Sequence, residues 1–186
     1  MSTNYKHWPM AEVELEDIRL VLDNAGKRPL TVQQLLDLEQ IKATQYKYCY
    51  CVDHGVDLTD FEDVFCDDLI SMTFGNATDN SPQKRKEATR GITKIAGGVS
   101  HQTHNPIAYF VDDDTAILLS SLNDRISFKN GGKFEGWGWY CNTFVRCPDG
   151  QWRIKKLIDS WMSTEGFIPG CEKMFGVEPD GKDGAI

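Results

Sequence analysis

The chain has 186 residues and carries 20 lysines and arginines against 28 aspartates and glutamates, a net charge of −8. That length suits one domain with a real core, burying about 70% of its unfolded surface. The acidic balance, with basic residues scattered apart from Lys84-Arg85-Lys86, argues against a nucleic-acid or anionic-membrane surface, and no window approaches the roughly 20 apolar residues of a bilayer span.

Residues 1–30 read as an N-terminal extension, a surface arm with a short helix over Ala11 to Asp23 and a stop at Gly26 and Pro29. The opening MSTNYKHWPMAEVELED has no apolar signal segment, so a soluble, cytoplasmic protein is expected. Thr31 is placed to cap a helix, because Val32, Leu35, Leu36, Leu38 and Ile41 follow at three- and four-residue spacing. The helix runs on through the aromatic, sulfur-rich stretch Tyr46, Tyr48, Cys49, Tyr50 and Cys51 to Val52 and Asp53. A carboxylate at the end of such a stretch is drawn partly out of water and needs a partner.

A second short helix is signalled from Asp57, with Phe61, Val64 and Phe65 as its apolar face, ending at Cys66-Asp67-Asp68. Leu69 to Phe74 alternates as a strand, Gly75 to Pro82 is a polar loop, and Arg90 to Ile95 forms a third short helix closing at Gly97-Gly98. From His101 the character changes to strands and turns: His101 to Val111, Thr115 to Leu122, Phe134 to Arg146 and Gln151 to Trp161. Asp112-Asp113-Asp114, Asn130-Gly131-Gly132 and Pro148-Asp149-Gly150 separate them. Helices first and an antiparallel meander second make the fold class α+β. The tail, 163–186, is rich in glycine and proline but keeps Phe167, Ile168, Met174 and Phe175, which suit a pocket lid, with a disordered end beyond Glu178 as the equal alternative.

The six cysteines, Cys49, Cys51, Cys66, Cys141, Cys147 and Cys171, lie in apolar segments without a CxxC pair. Reduced thiols and no structural metal are expected. On the first meander strand, alternation places His101 and Asn105 on one face and His104 on the other. On Phe134 to Arg146 it places Gly136, Gly138, Tyr140, Asn142 and Phe144 together, so Asn142 is a polar group on an apolar face, suited to a ligand or to backbone.

The order of Val52-Asp53, Phe65-x-Asp67-Asp68, Arg90-Gly91, His101-x-x-x-Asn105-Pro106, Asp112 to Ala116 and Asp149-Gly150-x-Trp152-Arg153-Ile154 resembles the SnoaL-like branch of the NTF2-like superfamily. The resemblance covers residues 31–162 and implies a cone-shaped barrel, a curved antiparallel sheet wrapped around helices over a deep apolar pocket. It implies a cofactor-independent lyase, a dehydratase in which Asp53 orients His101 and His101 removes a proton from a small apolar cyclic or polyketide-type substrate. Tyr48 matches a pocket tyrosine of the bile-acid dehydratase pattern, and Asn142 falls near a pocket asparagine of scytalone dehydratase, which has a tyrosine where this chain has Val52. Tyr50, Asn105 and Tyr140 complete the expected substrate contacts, and a homotrimer or homodimer is implied. An isomerase or cyclase using the same pair, or a non-catalytic ligand-binding or assembly subunit, are the alternatives.

Overall fold

Two helices, α1 (Glu12–Asn24) and α2 (Val32–His54), precede the sheet in the computed structural model, which describes residues 12–54, 61–69, 71–74, 77–79 and 81–166. Thr31 caps α2 as expected. Its Oγ1 accepts the backbone N–H of Gln34 at 3.1 Å, and Gln34 Oε1 accepts the N–H of Thr31 at 3.1 Å, so two helix-end donors are satisfied reciprocally.

The face that α2 buries differs from the one its leucines suggest. Val32, Leu35 and Leu36 are exposed, whereas the inward stripe is Asp37, Ile41, Gln45, Tyr48 and Val52. Two polar residues sit on that stripe because each has partners across the core. Asp37 takes both guanidinium N–H groups of Arg146, at 3.0 and 2.7 Å, and the Trp152 indole N–H at 3.1 Å. Gln45 Oε1 accepts from Asn142 Nδ2 at 2.7 Å.

After α2, a single 3-10 turn over Phe61–Asp63 stands where a longer helix was expected; residues 55–60 of that expectation lie outside the described residues. Two short strands follow, β1 (Ser71–Phe74) and β2 (Ala77–Asp79), the latter inside the expected loop. Helix α3 runs over Pro82–Ile95, far longer than the predicted Arg90 to Ile95, because Ser81 Oγ caps it at Lys84 N and Pro82 supplies a preset φ at its first turn. The chain then passes directly into β3 (Ala96–Phe110), so Gly97 and Gly98 belong to a strand and not to a helix stop.

β4 (Thr115–Phe128), β5 (Lys133–Arg146) and β6 (Trp152–Gly166) complete a six-stranded sheet in the order β2-β1-β6-β5-β4-β3. The four long strands form the expected antiparallel meander, and both β4 and β6 run past the predicted ends. β1 pairs parallel with β6, so the sheet is mixed at that edge. Register shifts at His104/Ile107, Trp137/Gly138 and Thr143/Phe144 bend the long strands.

One sheet face packs on α2 through Tyr48, Val52, Leu118, Tyr140, Phe144 and Trp161. The other is covered by α1, whose fully buried Val21 joins Ile117, Cys141 and Ile158. Lys156 Nζ adds an ion pair to Asp17 at 2.7 Å. α1 is therefore part of the packed structure instead of a surface arm. The described cysteines, Cys49, Cys51, Cys66, Cys141 and Cys147, are not joined in disulfides. No described helix is long and apolar enough to cross a membrane.

Candidate active site

The last turn of α2 is an unfavourable place for a carboxylate, since the helix dipole puts negative potential there. Asp53 occupies it because β3 supplies donors. The backbone N–H of His101 donates to both carboxylate oxygens at 3.0 Å, and His101 Nδ1 lies 2.6 Å from Asp53 Oδ1. The two side chains are only 6% (His101) and 11% (Asp53) exposed. An ionised carboxylate can only accept, which assigns the proton to Nδ1 and leaves the Nε2 lone pair as the basic position of the ring.

Both residues line a cleft of about 420 Å³ between the end of α2 and β3, with Tyr46, Cys49, Tyr50, His54, Val99 and Thr103. Tyr50 stands at its rim, 63% exposed and stacked on the His54 ring at 5.8 Å. Cys49 forms the inner wall. Burial, and then the Asp53 carboxylate, push its thiol up to about 12, so it stays protonated beside the pair.

Deeper in, Tyr48 is fully buried among Phe61, Phe65 and Tyr140, each in edge-on contact at about 6 Å. Tyr48 and Asp53 are thus not side by side; the helix continues to His54 and turns Tyr48 toward the core. Tyr140 is also fully buried, and its hydroxyl has no hydrogen-bond partner among the described residues. Burial, with the negative charge of Asp159 next, holds that hydroxyl well above the ordinary tyrosine range. It remains a proton donor whose potential is unspent, at a cost that a bound acceptor would relieve.

Two expected contacts lie elsewhere. Asn105 is exposed, with φ 52 at the bulge between His104 and Ile107, so the alternation linking it to His101 is broken. Asn142 does share the inner face with Tyr140, but its amide ties the core together: Nδ2 donates to Gln45, and Oδ1 accepts the backbone N–H of Ile158 at 2.9 Å.

The structure also brings in groups that sequence reading missed. Asp124 lies directly opposite His101 in the β3–β4 ladder, on the same face and almost fully buried, and its Oδ2 accepts the Trp161 indole N–H at 3.1 Å. Asp159 is buried opposite Tyr140 on β6. The signal for Asp124 was the alternation of Leu118, Ser120, Leu122, Asp124 and Ile126, which sets a carboxylate on an apolar face. Gly136, opposite Asp124 on β5, makes the room: a Cβ there would lie 2.1 Å from Asp124 Oδ1.

Comparison with known proteins fits this architecture. The profile of the SnoaL-like domain matches residues 33–158. No curated protein sequence matches. Among solved structures, the chain is similar to a protein named as a scytalone dehydratase from Novosphingobium aromaticivorans, with a TM-score of 0.67, 21% identity, and 75% of this chain and 93% of that chain covered. It is similar to the Kfla4162 protein from Kribbella flavida (TM-score 0.63, 19% identity, 71% and 95% covered). It is also similar to a hexachlorocyclohexane dehydrochlorinase, LinA type 2 (TM-score 0.61, 16% identity, 74% and 93% covered). At these identities the likeness establishes the cone-like α+β fold.

Proposed function

We propose, from the premise that this chain belongs to the SnoaL-like domain family, that it is a cofactor-independent lyase whose His101 and Asp53 carry out a proton-transfer elimination. The observation that carries this reading is the 2.6 Å contact between His101 Nδ1 and Asp53 Oδ1 at the wall of a cleft. Two of the similar structures are named for eliminations, one of water and one of hydrogen chloride, which supports the same reaction class here.

Asp53 fixes the ring and stabilises the imidazolium that forms when Nε2 takes a proton from the carbon next to a substrate carbonyl. The C–H electrons move into an enolate, whose oxygen needs a donor. The unpartnered Tyr140 hydroxyl, buried beside Tyr48, is the donor assigned to that role. Collapse of the enolate breaks the C–O bond to the leaving hydroxyl, which picks up the proton from Nε2 and departs as water. The aromatic side chains of the cleft, Tyr46 and Tyr50, favour a small, largely apolar cyclic or polyketide-type substrate. Isomerisation and cyclisation share the first proton transfer.

Screening hydroxylated cyclic ketones for loss of one water, by mass and by the absorbance of the conjugated product, tests the reading. Conversion by the native protein, with a drop of about 100-fold or more in His101→Ala, is the expected result. Equal conversion by both proteins removes His101 from the chemistry.

A further inference from the structure

Away from the cleft, two thiols that the proposed reaction does not use lie against each other. Cys66, just after the 3-10 turn, and Cys147, in the β5–β6 turn, are 81 residues apart in the chain, and their Sγ atoms are 3.7 Å apart. Their backbones are pinned. Cys66 N–H donates to Ile154 O at 3.0 Å, while Cys147 N–H donates to Gln151 O and Gly150 N–H to Cys147 O, each at 2.8 Å. The sulfurs have to close from 3.7 Å to the bonding distance of about 2.05 Å.

We propose that Cys66 and Cys147 form a site of reversible disulfide modification, in which hydrogen peroxide oxidises Cys147 and Cys66 then closes the bond. The order follows from the surroundings. Cys147 is partly exposed, so peroxide reaches it first, and the Arg153 guanidinium stands near it. Asp149 holds Arg153 in place through two contacts at 2.9 and 2.6 Å. Cys66 is buried, and burial followed by the neighbouring Cys147 pushes its thiol up to about 12, with Lys155 and Asp68 opposing each other beside it. It is the second thiol to react.

In the first step the Cys147 thiolate attacks one peroxide oxygen, the O–O bond breaks, and hydroxide leaves to become water. Cys147 is then a sulfenic acid. In the second the Cys66 sulfur attacks the Cys147 sulfur, and the displaced hydroxide departs as water with the Cys66 proton. Two thiols lose two electrons and two protons, and one peroxide becomes two waters. The bond ties the segment that carries Phe61 and Phe65, both packed on Tyr48, to the β5–β6 turn.

The test is to expose the full chain to hydrogen peroxide, then denature, alkylate and map peptides, with thermal unfolding measured in parallel. The expected result is a Cys66–Cys147 linked peptide, a fall in free thiols by two from the six in the chain, a rise in Tm, and reversal of all three by dithiothreitol. Cys147→Ser and, separately, Cys66→Ser should abolish the linked peptide, whereas Cys141→Ser should keep it. Cys147 advancing to sulfinic acid while Cys66 remains alkylatable, or a link between other cysteines, overturns the proposal. The readout needs no substrate, so its outcome is independent of the proposed elimination.

Discussion

Asp53 and His101 are joined twice, through the imidazole Nδ1 at 2.6 Å and through the His101 backbone N–H at 3.0 Å to each carboxylate oxygen. The carboxylate therefore fixes both the ring and the strand that carries it. Replacing it should affect proton transfer and local packing to different extents.

Asp53→Asn keeps the shape but removes the charge, and its amide can leave the imidazole in the other tautomer. Turnover of any substrate found by the elimination screen is expected to fall by about 100-fold or more, as for loss of a general acid–base partner. Far-ultraviolet circular dichroism should be unchanged. Native-like kcat in this variant would sink the pair.

Tyr140→Phe separates the site from the core. The hydroxyl has no partner among the described residues, so its removal is expected to leave Tm unchanged or raise it slightly, because a desolvation cost disappears. The same change should lower kcat with the screened substrate. A clear loss of Tm, by more than about 1 kcal/mol in stability, would mean that the hydroxyl already holds the fold together.

Gly136 and Gly138 make a graded pair. A Cβ at Gly136 meets Asp124 Oδ1 at 2.1 Å and Trp161 Cδ1 at 2.9 Å, both side-chain atoms that can shift. Gly136→Ala is expected to cost about 1–3 kcal/mol while disturbing the Asp124–Trp161 hydrogen bond. At Gly138 the obstacle is the Ser160 carbonyl at 1.7 Å, which is backbone. Gly138→Ala should cost at least about 3 kcal/mol, the upper end of ordinary overpacking. Urea titrations giving the opposite order would contradict this packing.

Asp37 sets an acid limit on stability. The Arg146 guanidinium beside it holds its carboxyl below the usual carboxylate range, with Trp152 and Gln33 adding hydrogen bonds. A depressed folded-state pKa gives stability that is present above the unfolded value near 3.8 and is lost as pH falls through the lower folded value. Asp37→Asn should therefore destabilise at pH 7 by about 2–3 kcal/mol, less than a fully buried pair because the Arg146 side chain is 24% exposed. Below pH 4 the gap between native and variant proteins should narrow. A gap independent of pH would assign the loss to shape rather than charge.

The helix over Thr31 to Asp53 and the four long strands were legible because their periods are local properties, and Asp53 announced a need for a partner by its setting. Its partner, His101, came from the family resemblance, and the two lie 2.6 Å apart; what failed was the reading of which α2 residues face inward. Leu35 and Leu36 looked inward, yet Asp37 and Gln45 face the core because Arg146, Trp152 and Asn142 meet them there. The extent of β4 past Leu122 was also missed, and with it Asp124.

The sequence by itself determined the class of structure, since hydrophobic period, turn residues and cap residues act over a few positions. Only the tertiary structure decided which polar groups converge. A one-residue bulge at His104 to Ile107 sent Asn105 to solvent, and the cross-core bonds of Asn142 committed it to the fold. Strand register set Asp124 opposite His101, and helix packing brought Asp53 within 2.6 Å of a ring 48 residues away. Such meetings depend on register and packing geometry summed over the whole sheet, which no local window of residues contains.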